Sequence, residues 1–304
     1  MIYSRKQFLQ NSVILFAAAM SHSAFAGKNN KPLLAFTTLG CPDWSFQQIV
    51  DFASANYYTG LEIRGIKRQM DLTKCEEFSS PERIKETLAL MKEKGLKFIN
   101  LGASANMHFQ EGPEKEKSMV EAKSFIDLAQ KINCPFVRVF PNKFPKGRTK
   151  DQTINTVIEN LLTLGEYSKS RNVTVLLETH GDFSGSDDIL KVMKGASHPN
   201  IALVWDIANM WTITKESPSL VYAKLKKYIR HTHIKDAKLN GDKLEYTLLG
   251  QGDVPIFEAI DILSKDNYKG YYSFEWEKLW HPEIAEPEIA LANFPGVMKK
   301  HFKY

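Results

Sequence analysis

The chain has 304 residues, 43% of them hydrophobic, 25% charged and 11% aromatic, with a mean hydropathy slightly below zero; this profile excludes a disordered, collagen-like or polytopic membrane protein. The formal charge of +5 falls to +3 if a leader carrying Arg5, Lys6 and no acid is removed, too mild a balance to indicate a nucleic-acid partner. The length suits either one large α/β barrel or two smaller domains.

Residues 1–26 read as an export signal. Arg5 and Lys6 form the charged start, Val13 to Met20 is an uncharged apolar run, and Ala24-Phe25-Ala26 is an A-x-A cleavage site. The run is well short of the roughly 20 residues needed to cross a bilayer, so no stable membrane span is expected after removal. Ser4-Arg5-Lys6-Gln7-Phe8-Leu9 resembles a twin-arginine signal with Lys in the second basic place. The mature protein is expected to start near Gly27, in the periplasm or outside the cell. Three cysteines, Cys41, Cys75 and Cys134, form no C-x-x-C pair, and an odd count precludes a complete disulfide framework.

Strands are predicted near Leu34 to Thr38, Gly60 to Arg64, Lys97 to Leu101, Phe136 to Phe140, Val173 to Thr179, Ile201 to Asp206, Ile229 to Ile234 and Tyr271 to Trp276. Amphipathic helices fall between them, among them Ser45 to Asn56, Pro81 to Lys94, Pro113 to Ile132 and Lys150 to Lys169. Regular alternation requires parallel strands with crossover helices. Eight such units suit a single (β/α)8 barrel over 27–304. The rival, a doubly wound nucleotide-binding sheet, lacks its glycine fingerprint, since Thr37-Thr38-Leu39-Gly40-Cys41-Pro42 is neither G-x-G-x-x-G nor a P-loop.

A barrel carries its chemistry at the C-terminal ends of its strands. Polar residues there are Glu62 and Arg64, Arg138, Glu178 and His180, Asp206, then His231, His233, Lys235 and Asp236, and finally Glu275 and Glu277. On four consecutive strands, Leu176-Leu177-Glu178, Val204-Trp205-Asp206, His231-Thr232-His233 and Ser273-Phe274-Glu275 end an apolar run with a ligand-type residue. Neighbouring barrel strands lie about 4.8 Å apart, so inward side chains from four of them can meet at one ion. Three carboxylates and an imidazole suit Mn²⁺ first, with Mg²⁺, Co²⁺ or Zn²⁺ as alternatives.

These segments resemble the sugar phosphate isomerase/epimerase family of xylose-isomerase-like barrels. Gly60-Leu61-Glu62-Ile63-Arg64 and Cys134-Pro135-Phe136-Val137-Arg138 extend the likeness over nearly all the mature chain. The resemblance implies a (β/α)8 fold, one divalent ion held by Glu178, Asp206, His233 and Glu275, and catalysis by Glu178 and Glu275 as an acid/base pair. One departure is Asn209, where many members have a substrate- or ion-contacting His. Asn can hydrogen-bond a hydroxyl but transfers no proton at neutral pH.

His180, Asn209, Lys235, Arg138 and Glu62 are the candidate substrate-binding residues. Lys235 either stabilises a negative oxygen or pairs with Asp236. Arg138 binds substrate or, more plainly, pairs with Glu62. His231 is expected opposite to His233, packed between barrel and helices. Glu277 shares the inward parity of Glu275 as a supporting group, with Trp280-His281-Pro282 covering the mouth. Trp44, Trp205, Trp276 and Trp280 offer sugar-stacking faces or plain packing.

A metal-dependent sugar isomerase or epimerase, working by proton transfer next to a carbonyl, fits this set best. A lyase or hydratase on keto-sugars or keto-glycosides uses the same abstraction, and a carbohydrate-binding barrel is the non-catalytic alternative. A zinc endonuclease acting on DNA is disfavoured by the charge and the few histidines. The expected partner is therefore a small carbohydrate.

Overall fold

The computed structural model describes residues 31–241 and 243–304; the export signal expected over 1–26 lies outside them. Eight parallel strands close into a ring in the order β1, β10, β7, β6, β5, β4, β3, β2. They are β1 (Leu33–Thr37), β2 (Gly60–Ile63), β3 (Lys97–Asn106), β4 (Phe136–Phe140), β5 (Thr174–Glu178), β6 (Ile201–Asp206), β7 (Ile229–Ile234) and β10 (Tyr271–Phe274). All eight predicted strands are present. The remaining two, β8 (Asp236–Asn240) and β9 (Lys243–Thr247), pair antiparallel as a separate hairpin that the sequence reading did not include.

Helices α1 (Phe46–Ala55), α2 (Pro81–Glu93), α3 (Pro113–Lys131) and α4 (Lys150–Lys169) lie within a residue of their predicted ends. Their starts follow from local chemistry. Ser45 with Gln48 and Thr149 with Gln152 form reciprocal capping boxes, and Ser80 accepts the Arg83 amide with Pro81 in the first turn. Farther on come α5 (Ser186–Gly195), α6 (Ile207–Thr214), α7 (Pro218–Leu225), α8 (Ile256–Lys265) and α9 (Pro287–Phe302).

Strand alternation splits the core in two. Val175, Leu177, Leu203 and Trp205 face outward into the large layer between barrel and helices. Leu176, Ala202 and Val204 face inward, against Phe136, as a small apolar plug. Continuing the inward series by two residues exchanges apolar for charged groups: Glu178 follows Leu176, and Asp206 follows Val204. The plug supports the polar mouth. Between β6 and β7 the register shifts after Leu203, so that His231 lies opposite Val204 and His233 opposite Asp206, while Arg230 is left exposed.

The three cysteines are free and buried. Trp205 and Trp276 are packing residues at 1% exposure, whereas Trp280 is 54% exposed on the rim.

Candidate metal centre and active site

Glu178, Asp206, His233 and Glu275 converge at the ends of β5, β6, β7 and β10, with one donor atom from each within 4.8 Å of all the others. Nδ1 of His233 lies 3.4 Å from Glu178 Oε1, 3.3 Å from Glu275 Oε1 and 3.8 Å from Asp206 Oδ2. Donors that share one ion at about 2.1 Å each stand roughly 3.0–3.4 Å apart, so the spacing fits a single cation. His233 Nδ1 is also buried without a hydrogen-bond partner. Buried polar atoms are normally satisfied, so a ring nitrogen left open and facing three carboxylates marks a place prepared for a ligand.

Each of these side chains is held from behind. Arg138 Nε lies 3.0 Å from Glu178 Oε2, and Lys235 Nζ lies 2.7 Å from Glu275 Oε2 and 2.9 Å from Asp206 Oδ2. Asp206 is also the N-cap of α6, its Oδ1 accepting the Asn209 amide at 2.8 Å. His233 Nε2 donates to Glu62 Oε1 at 3.0 Å. A histidine that spends one nitrogen on a carboxylate presents the other, unprotonated, to an ion.

The charges follow from this geometry. Burial alone would raise the Glu62 carboxyl, but His233 and His231 outweigh it and hold it well below the usual carboxylate range. Burial opposes the charge on Lys235, yet Asp206, Glu275 and Glu277 together push its pKa well above the ordinary lysine value. Glu275 is held well below its usual value against the effect of burial, by His233 and Lys235. Burial raises Asp206, with Lys235 opposing.

Several expectations are corrected. Glu62, expected among the substrate-binding residues, is fully buried beneath His233, where His231, His233, Asn100 and Ser273 bond its two oxygens. Arg138 does not pair with Glu62; it pairs with Glu178 and donates to Ala103 O. His231 does not pack toward the helices. Residues two apart share a strand face, so His231 points inward with His233 and meets Glu62 Oε2 at 2.8 Å. Lys235 does not pair with Asp236, whose carboxylate instead accepts the amides of Ala237, Gly250 and Gly252 and ties down the loop after β9.

His180 is half-buried, with its ring 4.5 Å from Phe140 and Nδ1 unpartnered. Asn209 is half-buried in the first turn of α6. Glu277 accepts from Lys235 at 2.6 Å and from the Tyr246 hydroxyl at 3.0 Å. Tyr246, on β9, is the mouth residue the sequence reading missed. Gly241 was the available signal: it follows the last β8 residue, Asn240, which pairs with Lys243, and takes φ +62° in the turn. His281 packs its ring 4.9 Å from Tyr246, which brings the segment after β10 to the same rim.

Residues 50–293 match the xylose isomerase-like TIM barrel family. The chain belongs to that family. Over 146 residues this family member is 26% identical to the inosose dehydratase of Clostridium tetani (strain Massachusetts / E88), which covers 42% of this chain and 48% of the relative. The chain thus spans about half the length of the curated relative it matches. Among solved structures it is similar to the IOLI protein with a binding zinc atom, at a TM-score of 0.74 and 15% identity over 90% of this chain and 100% of that one. It is similar also to the 3-keto-D-glucoside 4-epimerase YcjR from E. coli, at a TM-score of 0.71 and 15% identity over 89% and 100%. At these identities the structural likeness establishes the fold.

Proposed function

We propose that the protein is a divalent-metal-dependent isomerase or epimerase that moves a proton α to the carbonyl of a sugar, by way of an enediolate. One observation carries this reading: Glu178 and Glu275, on the first and last of four consecutive barrel strands, each turn one oxygen toward His233 Nδ1 while a separate cation fixes the other. Glu178, Asp206, His233 and Glu275 would hold a Mn²⁺ ion, or Mg²⁺, Co²⁺ or Zn²⁺ in its place, which would supply Lewis-acid polarisation of the carbonyl. One glutamate takes the α-proton and the other returns it, which inverts the centre or shifts the carbonyl. Lys235, engaged by Asp206, Glu275 and Glu277, holds the Glu275 carboxylate in place for this transfer. His180 and Asn209 border the opening and serve substrate hydroxyls. Export, proposed on the leader sequence, favours a free or oxidised sugar.

The dehydratase relative supports a second reading, in which the same proton removal is followed by loss of a β-substituent from a keto-sugar or keto-glycoside. Incubation of the Mn²⁺-loaded protein with a keto-sugar panel in D₂O, followed by NMR, separates the readings. Solvent deuterium at the α-carbon of an intact sugar is expected, whereas release of a fragment or water selects the lyase. Glu178→Gln and Glu275→Gln should each lower exchange by about 10²–10⁴-fold with the fold retained. Full exchange in either variant removes the acid/base assignment, and no exchange with any sugar would favour a binding protein.

A further inference from the structure

Arg64 ends the inward series of β2 two residues above Glu62, and it is only 7% exposed. Its guanidinium donates to Gly102 O at 3.3 Å and to Ser104 Oγ at 2.8 Å. Among the described residues no carboxylate lies within ion-pairing distance of it, although Arg138 has Glu178 and Lys235 has three acids. Glu121 acts on it at longer range, but Glu121 Oε1 already accepts the Ser104 amide at 2.7 Å.

Arg64 and Arg138 stand side by side in space that a side chain at position 102 would occupy: a Cβ on Gly102 would lie 2.8 Å from both Arg64 Cδ and Arg138 Nη2. Two guanidinium groups thus share one wall of the mouth, and of the two only Arg138 has a carboxylate within ion-pairing distance among the described residues. Burial, then Arg138, lowers the Arg64 pKa to about 10, which still leaves it charged at neutral pH. A buried cation served by only a carbonyl and a hydroxyl is costly to keep unless an anion completes it.

Within the ring β2 lies opposite β6, so Arg64 and the Asp206 side of the candidate ion site face each other across the opening. Arg138, which shares the Gly102 wall with Arg64, pairs with Glu178 of that site, and this places Arg64 on the same opening. We infer that Arg64 binds a carboxylate on the substrate, at the end remote from the reacting carbonyl, so that the sugar handled here is a keto-acid such as a keto-uronate. The guanidinium fork matches a carboxylate in shape. One unpaired positive charge is balanced by one carboxylate, whereas a phosphate monoester brings about −1.5 to −2. This inference rests on the proposed sugar chemistry of the same site, and deepens it.

The test measures binding apart from turnover. The Mn²⁺-loaded full chain is titrated calorimetrically with D-fructuronate and with D-fructose, which differ only in carboxylate against hydroxymethyl, and with D-fructose 6-phosphate. Fructuronate is expected to bind at least about tenfold more tightly than fructose, as a charge-assisted contact should provide. Arg64→Gln should erase that preference and Arg64→Lys retain part of it. The methyl ester of fructuronate should lose the preference on the unaltered protein, so the question is answered even if the variants fail to fold. Equal binding of acid and neutral sugar, a preference that survives in a folded Arg64→Gln, or tighter binding of the phosphate would each overturn the inference. Arg64-dependent binding of the acid without α-proton exchange would retire the isomerase reading alone, and exchange without acid preference would retire this one alone.

Discussion

His233 Nε2 lies 3.0 Å from Glu62 Oε1, a residue 171 positions earlier in the chain, and this contact decides which ring nitrogen faces the three carboxylates. Glu62 is itself held by His231, Asn100 and Ser273, so the ring has little freedom to turn. Outer partners of this kind typically contribute 10–100-fold, roughly, to metal affinity. Glu62→Gln, which keeps the shape and removes the charge, should therefore weaken Mn²⁺ binding by about 10–100-fold in a calorimetric titration with the far-ultraviolet circular dichroism unchanged. Unaltered affinity would mean that the barrel wall alone orients His233.

The same histidine sets a pH dependence. Burial disfavours its charged form, but Glu275, Glu62 and Glu178 outweigh burial and raise its pKa well above the ordinary histidine value. Without an ion, then, His233 is protonated at neutral pH, and an ion must displace a proton from Nδ1 to bind. The sign follows: apparent affinity for Mn²⁺ should rise by about tenfold per pH unit from the acid side through neutrality, until the raised pKa is passed. Proton release on binding, measured by calorimetry in buffers of different ionisation enthalpy, checks it. A flat profile between pH 6 and about 8 would remove Nδ1 from the ligand set.

Cys41, Cys75 and Cys134 are all buried, and burial pushes Cys75 and Cys134 up to about 12 and Cys41 higher still. The thiolate is the reactive form, so none should titrate with a thiol-specific reagent in the folded protein at neutral pH. In denaturant all three should react at once. One reactive thiol in the native protein would place that cysteine outside the packed layer described here, and a disulfide found by mass spectrometry would contradict three free thiols.

Much of the fold is legible in one dimension because its cause is local. Apolar runs of four to six residues separated by capped, amphipathic stretches can bury their surfaces in few ways, and parallel pairing with crossover helices closes eight of them into a ring. The inward parity of Leu176 and Glu178 follows from the strand period of two, and the same rule, applied to His231 and His233, puts both rings inside. The hairpin of β8 and β9 is faint in the sequence because its alternation is short and half-exposed, with Gly241 the one mark of its turn.

The amino-acid order alone determined the barrel, the strand ends and the residue types presented at four of them, since periodicity and capping act between neighbours. Tertiary structure alone decided the partners: Arg138 with Glu178, Lys235 with Asp206 and Glu275, Glu62 beneath His233, and Arg64 with no acid within ion-pairing distance among the described residues. These contacts join strands far apart in the chain, and they depend on ring closure and on a register shift at Arg230. A local pattern specifies which way a side chain points, but a charge is stabilised by whatever the folded barrel brings against it.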